Sequence, residues 1–176
     1  LAAHGIALEV AALTFMLHVG LSSAATIRIA RFDGHGDRPA LRLAAKVAVV
    51  ISLGVALVSV ALFLAFPEAI IAVFLDMAKP ESAAIVAYGS VLLIVAALFQ
   101  LADGMQVMAL GLLRGVRDTR VPMVLAAVSY WLIGIPCSYV LAFPLGLGGV
   151  GLWLGLVVGL VCASASLMWR FWRLVL

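Results

Sequence analysis

Charge is scarce in this sequence. Lysine, arginine, aspartate and glutamate make up 11% of 176 residues, where soluble domains carry about a quarter. With 66% apolar residues and a mean hydropathy of +1.28, this excludes a soluble globule and a disordered chain. Cysteine is nearly missing. Cys137 and Cys162 both lie in apolar runs, so a disulfide scaffold is excluded and the two thiols read as small hydrophobes. No HExxH, GxSxG, Walker A or CxxC pattern occurs, and His4, His18 and His35 are far apart. No catalytic or metal constellation is therefore expected. The stretch from Arg31 to Asp37 reads as a flexible polar turn. It is not a phosphate loop, because no strand precedes it. The chain opens Leu1-Ala2-Ala3-His4 without a methionine or a basic leader. Its start inside an apolar run points to a fragment of a longer chain.

Long apolar runs are abundant instead. Residues 10–27, 47–67, 82–102, 104–113 and 121–169 hold no charge. A helical span needs about 20 such residues. The last run divides at the turn-forming cluster Phe143-Pro144-Leu145-Gly146-Leu147-Gly148-Gly149. The expected fold is an all-α polytopic membrane protein, a single membrane domain over 1–176, with spans at about 4–28, 44–66, 84–111, 121–142 and 149–170. A β-barrel is excluded because the runs are continuous, not alternating. The loops set the direction. Arg28, Arg31, Arg38, Arg42 and Lys46 mark the first, Arg114, Arg117 and Arg120 the third, and Arg170 and Arg173 the tail. The second mixes Lys79 with Glu68, Asp76 and Glu81, and the fourth carries no charge. Basic loops stay cytoplasmic, which puts the C-terminus inside and the N-terminus outside.

Ionisable groups inside such spans are costly and mark functional sites by default. Asp103 lies 11 residues before Arg114, about 16 Å along a helix and roughly half the hydrocarbon thickness. Phe99, Gln100 and Gln106 share its helix face. A bare carboxylate is expensive in so apolar a place. Asp103 is therefore placed to hold H⁺ or Na⁺ and release it when a cavity opens to the other side. His18, ten residues before Arg28, also sits at mid-depth, as a proton or substrate contact or as a hydrogen-bonded packing residue. Glu9 falls near the outer interface, on the face opposite His18. Pro136 should kink its span as a hinge or as fixed shape. Gly151, Gly155, Gly159 and Ala163 form a small-residue ridge for helix packing, and Gly111 and Gly115 repeat it weakly. Asp118 or Thr119 should cap the helix that Pro122 opens.

These residues carry a family resemblance. Ala2-Ala3-His4-Gly5-Ile6-Ala7-Leu8, Ala24-Ala25-Thr26-Ile27-Arg28-Ile29-Ala30-Arg31, the stretch from Phe99 through Asp103 to Gln106, and Gly111-Leu112-Leu113-Arg114-Gly115-Val116-Arg117-Asp118-Thr119-Arg120-Val121-Pro122 resemble the C-terminal half of a MATE (multidrug and toxic compound extrusion) transporter of the NorM-like branch. Tyr130-Trp131-Leu132-Ile133-Gly134-Ile135-Pro136 and Gly149-Val150-Gly151-Leu152-Trp153-Leu154-Gly155 add support. The resemblance implies twelve helices in two six-helix lobes, of which this chain supplies helices eight to twelve. The N-terminal lobe and helix seven are missing partners. It makes Asp103 the cation-coupling aspartate of helix ten and Phe99 an aromatic beside the cation. Gln100, Gln106, His18 and Glu9 become cavity candidates. Three positions depart from the family pattern: Gly5 stands for a common glutamine, Glu9 for an asparagine and His18 for a proline.

The expected activity is secondary-active antiport at the inner membrane, exporting organic, often cationic compounds in exchange for Na⁺ or H⁺. It needs no cofactor beyond that ion, no metal beyond Na⁺ at Asp103, and no nucleic-acid partner. A flippase of lipid-linked substrates would want a cationic cavity, which these spans lack. An intramembrane enzyme would need a second deep acid, a metal cluster or a Ser/Lys pair at matched depth. A structural membrane fragment is the remaining alternative.

Overall fold

The computed structural model describes residues 2–75 and 82–176. Asp76, Lys79 and Glu81 of the second loop lie outside the described residues. The elements are α1 (Ala2–Gly34), α2 (Arg38–Ala65), the short α3 (Pro67–Ala72), α4 (Ser82–Gly115), α5 (Arg120–Val128), a π-helical turn (Ser129–Gly134), α6 (Ile135–Ala142) and α7 (Gly148–Val175). Among the described residues, five helical stretches are long and apolar enough to cross a bilayer: α1, α2, α4, α5 to α6 taken together, and α7. The chain is an all-α polytopic membrane protein.

The helices run past the apolar sequence at the basic loops. At 33 residues α1 is about 50 Å long, well beyond the roughly 30 Å hydrocarbon core. It carries Arg28 and Arg31 and continues to Gly34. Much of the stretch from Arg31 to Asp37 is thus helix and not a flexible turn. The connection itself is three residues closed by backbone bonds. Asp37 N–H reaches Phe32 O at 3.0 Å and Gly36 N–H reaches Asp33 O at 3.1 Å, with Gly36 in the left-handed region at φ 70°. Asp37 then caps α2 by accepting from Ala40 N–H at 3.0 Å.

The end of α4 repeats this turn. Asp118 N–H bonds Leu113 O and Arg117 N–H bonds Arg114 O, both at 3.0 Å. Here the left-handed position is Arg117, at φ 63°, where glycine is the residue without a steric cost. Replacing Arg117 with Gly is expected to raise stability by about 1 kcal/mol. The ion pair lost, Arg117 to Asp33 at 3.9 Å, is exposed on the arginine side and contributes little. A higher melting temperature of the purified protein in detergent checks this. Thr119 occupies the cap position before α5 without a side-chain hydrogen bond, and Asp118 accepts instead from Arg170 Nε at 2.5 Å.

The bundle is built around α4, with α1 and α2 on one side and α7 on the other. Many large apolar side chains, such as Leu13, Met16, Ile27 and Trp131, face outward, while polar ones such as His18, Ser52 and Gln100 and small ones such as Ala7 and Ala45 are buried. This is how membrane helices pack, since lipid already solvates leucine and close approach needs small residues. The glycine ridge on α7 does this against the π turn and α6. A Cβ on Gly151 would lie 2.6 Å from the Leu141 backbone, and one on Gly159 would lie 2.9 Å from Gly134 Cα. The core falls into two apolar slabs. One gathers Ala7, Leu92, Leu93, Ala96 and Trp153. The other gathers Ile29, Leu41, Leu112, Leu167 and Phe171. Between them α1 and α4 contribute a polar layer from His18 to Ser22 and from Gln100 to Gln106. That layer lies mid-bundle.

Candidate functional site

The site grows from one helix face of α4. Gln100, Asp103 and Gln106 are spaced by three, so they project to one side, and all are buried, at 0%, 8% and 5% exposure. Among the described residues no cation pairs with Asp103. Its surroundings are polar but neutral. The Gln106 amide and the Asp103 carboxyl both lie close to the Tyr130 hydroxyl. Gln100 Oε1 accepts from Thr14 Oγ1 at 2.8 Å, while Gln100 Nε2 is buried without a partner. Thr14 Oγ1 also reaches Ala11 O at 2.9 Å, and it has one proton for two acceptors. Turning the Gln100 amide over lets its NH₂ donate to Thr14 and frees the oxygen instead. A carboxylate, two amides and a phenol are a hard, oxygen-rich donor set, suited to a proton or a small hard cation.

Tyr130 is the site residue that sequence reasoning missed. It sits in the π-helical turn, where one extra residue per turn re-aims side chains. Pro136 follows two residues after that turn ends. A proline removes a backbone donor and ordinarily kinks a helix, and here the widened turn directly precedes it.

His18, on the same α1 face as Thr14, meets α4 at Gly104. It is fully buried, its Nδ1 is 3.0 Å from Ser52 Oγ on α2, and its Nε2 has no partner. Its ring rests on Gly104, where a Cβ would come within 2.6 Å of ring carbon. Only glycine beside Asp103 leaves room for it. Phe99 is half-buried and meets Trp153 edge-on at 5.5 Å, in the apolar slab above the polar layer. Trp153 Nε1 in turn points at His4 Nδ1, 3.4 Å away. Glu9 is exposed and is not brought to Asp103. Cys137 and Cys162 are free and half-buried, more exposed than the apolar sequence around them suggests. Among the described residues no group of three or more His, Cys, Asp or Glu is placed to hold a metal.

The α1–α4 seam explains how the layer is held. Thr14, His18, Ser22 and Thr26 recur every four residues on α1 and face α4. Ser22 Oγ donates to Val107 O at 2.8 Å, and Thr26 Oγ1 reaches Gly111 O at 2.9 Å. A Cβ on Gly111 would sit 2.7 Å from Ser22 O, and one on Gly115 2.7 Å from the Ile29 side chain. Small residues on α4 thus admit the hydroxyls of α1 to its backbone.

A sequence model of the MatE family matches residues 1–140. The chain is 45% identical over 175 residues to a protein of Rhizobium meliloti named "Probable multidrug resistance protein NorM", matching 99% of this chain and 38% of that protein. It is 45% identical over 173 residues to "Multidrug resistance protein NorM" of Burkholderia vietnamiensis, with 97% and 37% covered. The fold matches the solved structure described as "Crystal structure of MATE in complex with MaL6" with a TM-score of 0.87 at 18% identity, over 99% of this chain and 38% of that one. It matches the eukaryotic MATE transporter AtDTX14 with a TM-score of 0.83 at 24% identity. The chain therefore spans somewhat over a third of the length of these relatives.

Proposed function

Because the chain belongs to the MatE family, whose relatives here are named multidrug resistance proteins, we propose that it forms most of the C-terminal lobe of a secondary-active efflux antiporter. The substrates are organic, often cationic compounds, exchanged for Na⁺ or H⁺. One observation carries the reading: Asp103 is a buried acid on the central helix, without a counter-ion among the described residues and among neutral oxygen donors.

The mechanism follows from what that carboxyl costs. A bare carboxylate in an apolar lobe is unfavourable, so the state facing low cation is held back until H⁺ or Na⁺ arrives. If the cation favours one cavity state and the drug the other, each weakens the other by the same coupling energy. Gln100, Gln106 and Tyr130 supply the neutral dipoles that receive the ion. His18 and Ser52 hold α1 and α2 against Gly104. Phe99 borders the site from above, and the π turn with Pro136 gives the helix that carries Tyr130 a place to bend. Glu9, being exposed, faces the lipid interface or the missing helices. The basic loops support a cytoplasmic C-terminus in an inner-membrane protein, and the N-terminal lobe of the full-length transporter would close the cavity. The same superfamily's flippase reading lacks its cationic cavity.

Replacing Tyr130 with Phe is expected to weaken ion coupling without abolishing it. The apparent affinity for the driving ion should fall by about fivefold, the worth of one hydrogen bond to the site, read as the ion concentration giving half-maximal efflux. The test of the whole reading is ethidium efflux from drug-sensitive cells carrying the full-length gene under imposed Na⁺ or H⁺ gradients. Efflux that follows one gradient supports the antiporter and names its ion. No efflux under either gradient from a well-expressed protein overturns it.

A further inference from the structure

An apolar groove of about 280 Å³ runs between α1 and α2 over their loop-proximal halves. It is smaller than the roughly 300–1,000 Å³ clefts that take drug-sized ligands. Its walls extend from Leu21 to Phe32 on α1 and from Ala40 to Ile51 on α2. Eleven residues on each side give a length of about 16 Å, which is one leaflet's depth of hydrocarbon. Alanines at 24, 25, 40, 44 and 48 line it, so small side chains leave the room between the two helices. A single flexible alkyl chain fits that shape.

The charge at its mouth is of one sign. Arg28 is the charged residue in the lining and is exposed. Arg28 and Lys46 have no ion-pair or hydrogen-bond partner among the described residues. The nearby acids are engaged elsewhere. Asp33 pairs with Arg38 at 3.6 Å and with Arg117, and Asp37 caps α2. An apolar slot with an unpaired guanidinium in its wall, about one turn from its loop-proximal end, is complementary to a chain that ends in an anion.

We propose that this groove is a binding site for an anionic phospholipid, with one acyl chain between α1 and α2 and the phosphate on Arg28. A bound lipid here would brace the seam between α1 and α2, which His18 and Ser52 pin deeper in the bundle. That the lipid comes from the cytoplasmic leaflet rests on the sidedness proposed above. The site itself does not.

The test uses the full-length transporter in detergent, with bound lipid counted by native mass spectrometry. Dioleoyl-phosphatidylglycerol and dioleoyl-phosphatidylcholine are titrated separately. The phosphatidylglycerol is expected to bind about fivefold more tightly, the effect of one basic side chain at an anionic headgroup. Arg28→Gln should erase that preference, and Arg28→Lys should retain most of it. Arg120→Gln, at the third loop, should leave it unchanged. Ala44→Phe, which fills the groove, should lower the binding of both lipids. Equal binding of the two lipids to the wild type overturns the proposal, as does a preference that survives Arg28→Gln. A disulfide formed between a cysteine at Leu43 and the N-terminal lobe also overturns it, because the groove would then hold protein. Because binding is read without transport, a protein that takes the lipid through Arg28 yet moves no ethidium refutes the efflux reading and leaves this one standing.

Discussion

Asp103→Asn in the full-length transporter is expected to remove ion-driven efflux while leaving the protein in the membrane at wild-type levels. The two residues have nearly the same shape, so the buried α4 face keeps its packing. The amide cannot take up a proton or neutralise a sodium ion, and the difference in cation affinity between cavity states disappears with it. Coupling energies between ligands are typically 1–3 kcal/mol, so the loss should approach about two orders of magnitude in gradient-driven efflux. Ethidium export under an imposed gradient, normalised to surface expression, reads it directly. Removing an uncompensated buried charge should also make the resting protein more stable, seen as a higher melting temperature in detergent. Efflux that persists with its gradient dependence intact would remove Asp103 from the mechanism.

The second large effect is structural. Gly155→Leu places a side chain where even a Cβ would collide with the Ser138 backbone. The atoms in the way belong to α6, which cannot give without separating from α7. Overpacking of this kind costs about 1–3 kcal/mol and more where backbone must move. The substitution should therefore prevent recovery of monodisperse protein. Gly54→Ala is the control. It is also a helical glycine, but a Cβ there meets nothing within 4 Å, so the change should be neutral or gain up to about 1 kcal/mol of helix propensity. Size-exclusion profiles of the two variants after heating distinguish them. Equal behaviour would mean that the glycine ridge is not a contact surface.

The architecture was readable because a bilayer is a demanding solvent. Runs of uncharged residues, split by arginines, by the mixed charges from Glu68 to Glu81 and by the glycines after Phe143, define five helices without any packing information. The overruns were not readable, because Arg28, Arg31 and Arg114 are as compatible with a helix end as with a loop. The helices continue until Gly36 and Arg117 reverse the chain. The site was half readable. Asp103, Gln100 and Gln106 follow from spacing on one helix. Tyr130 does not, because it depends on a π turn that changes where the side chain points, and no residue type in Ser129–Gly134 announces that turn. His18 and Glu9 have similar sequence surroundings, but one is enclosed and the other exposed. What separates them is register. His18 belongs to the four-residue series with Thr14, Ser22 and Thr26, and that series was the available signal for the α1–α4 seam.

That series has a consequence for how the protein is made. The first helix is the least apolar of the five spans, and the hydroxyls of Thr14, Ser22 and Thr26 each reach a helix that is synthesised much later. Thr14 meets its partner Gln100 across 86 residues of chain. At ribosomal rates of about 5–20 residues per second, that partner emerges roughly 4–17 s after it. During those seconds the first helix has its polar edge in or near the bilayer without its α4 partners, and Thr14 and Thr26 keep only their bonds within α1. It must wait at the insertion channel, at the headgroup level, or beside another helix of the growing chain. Delivery of the central helix is then the step that commits the first one to the membrane interior.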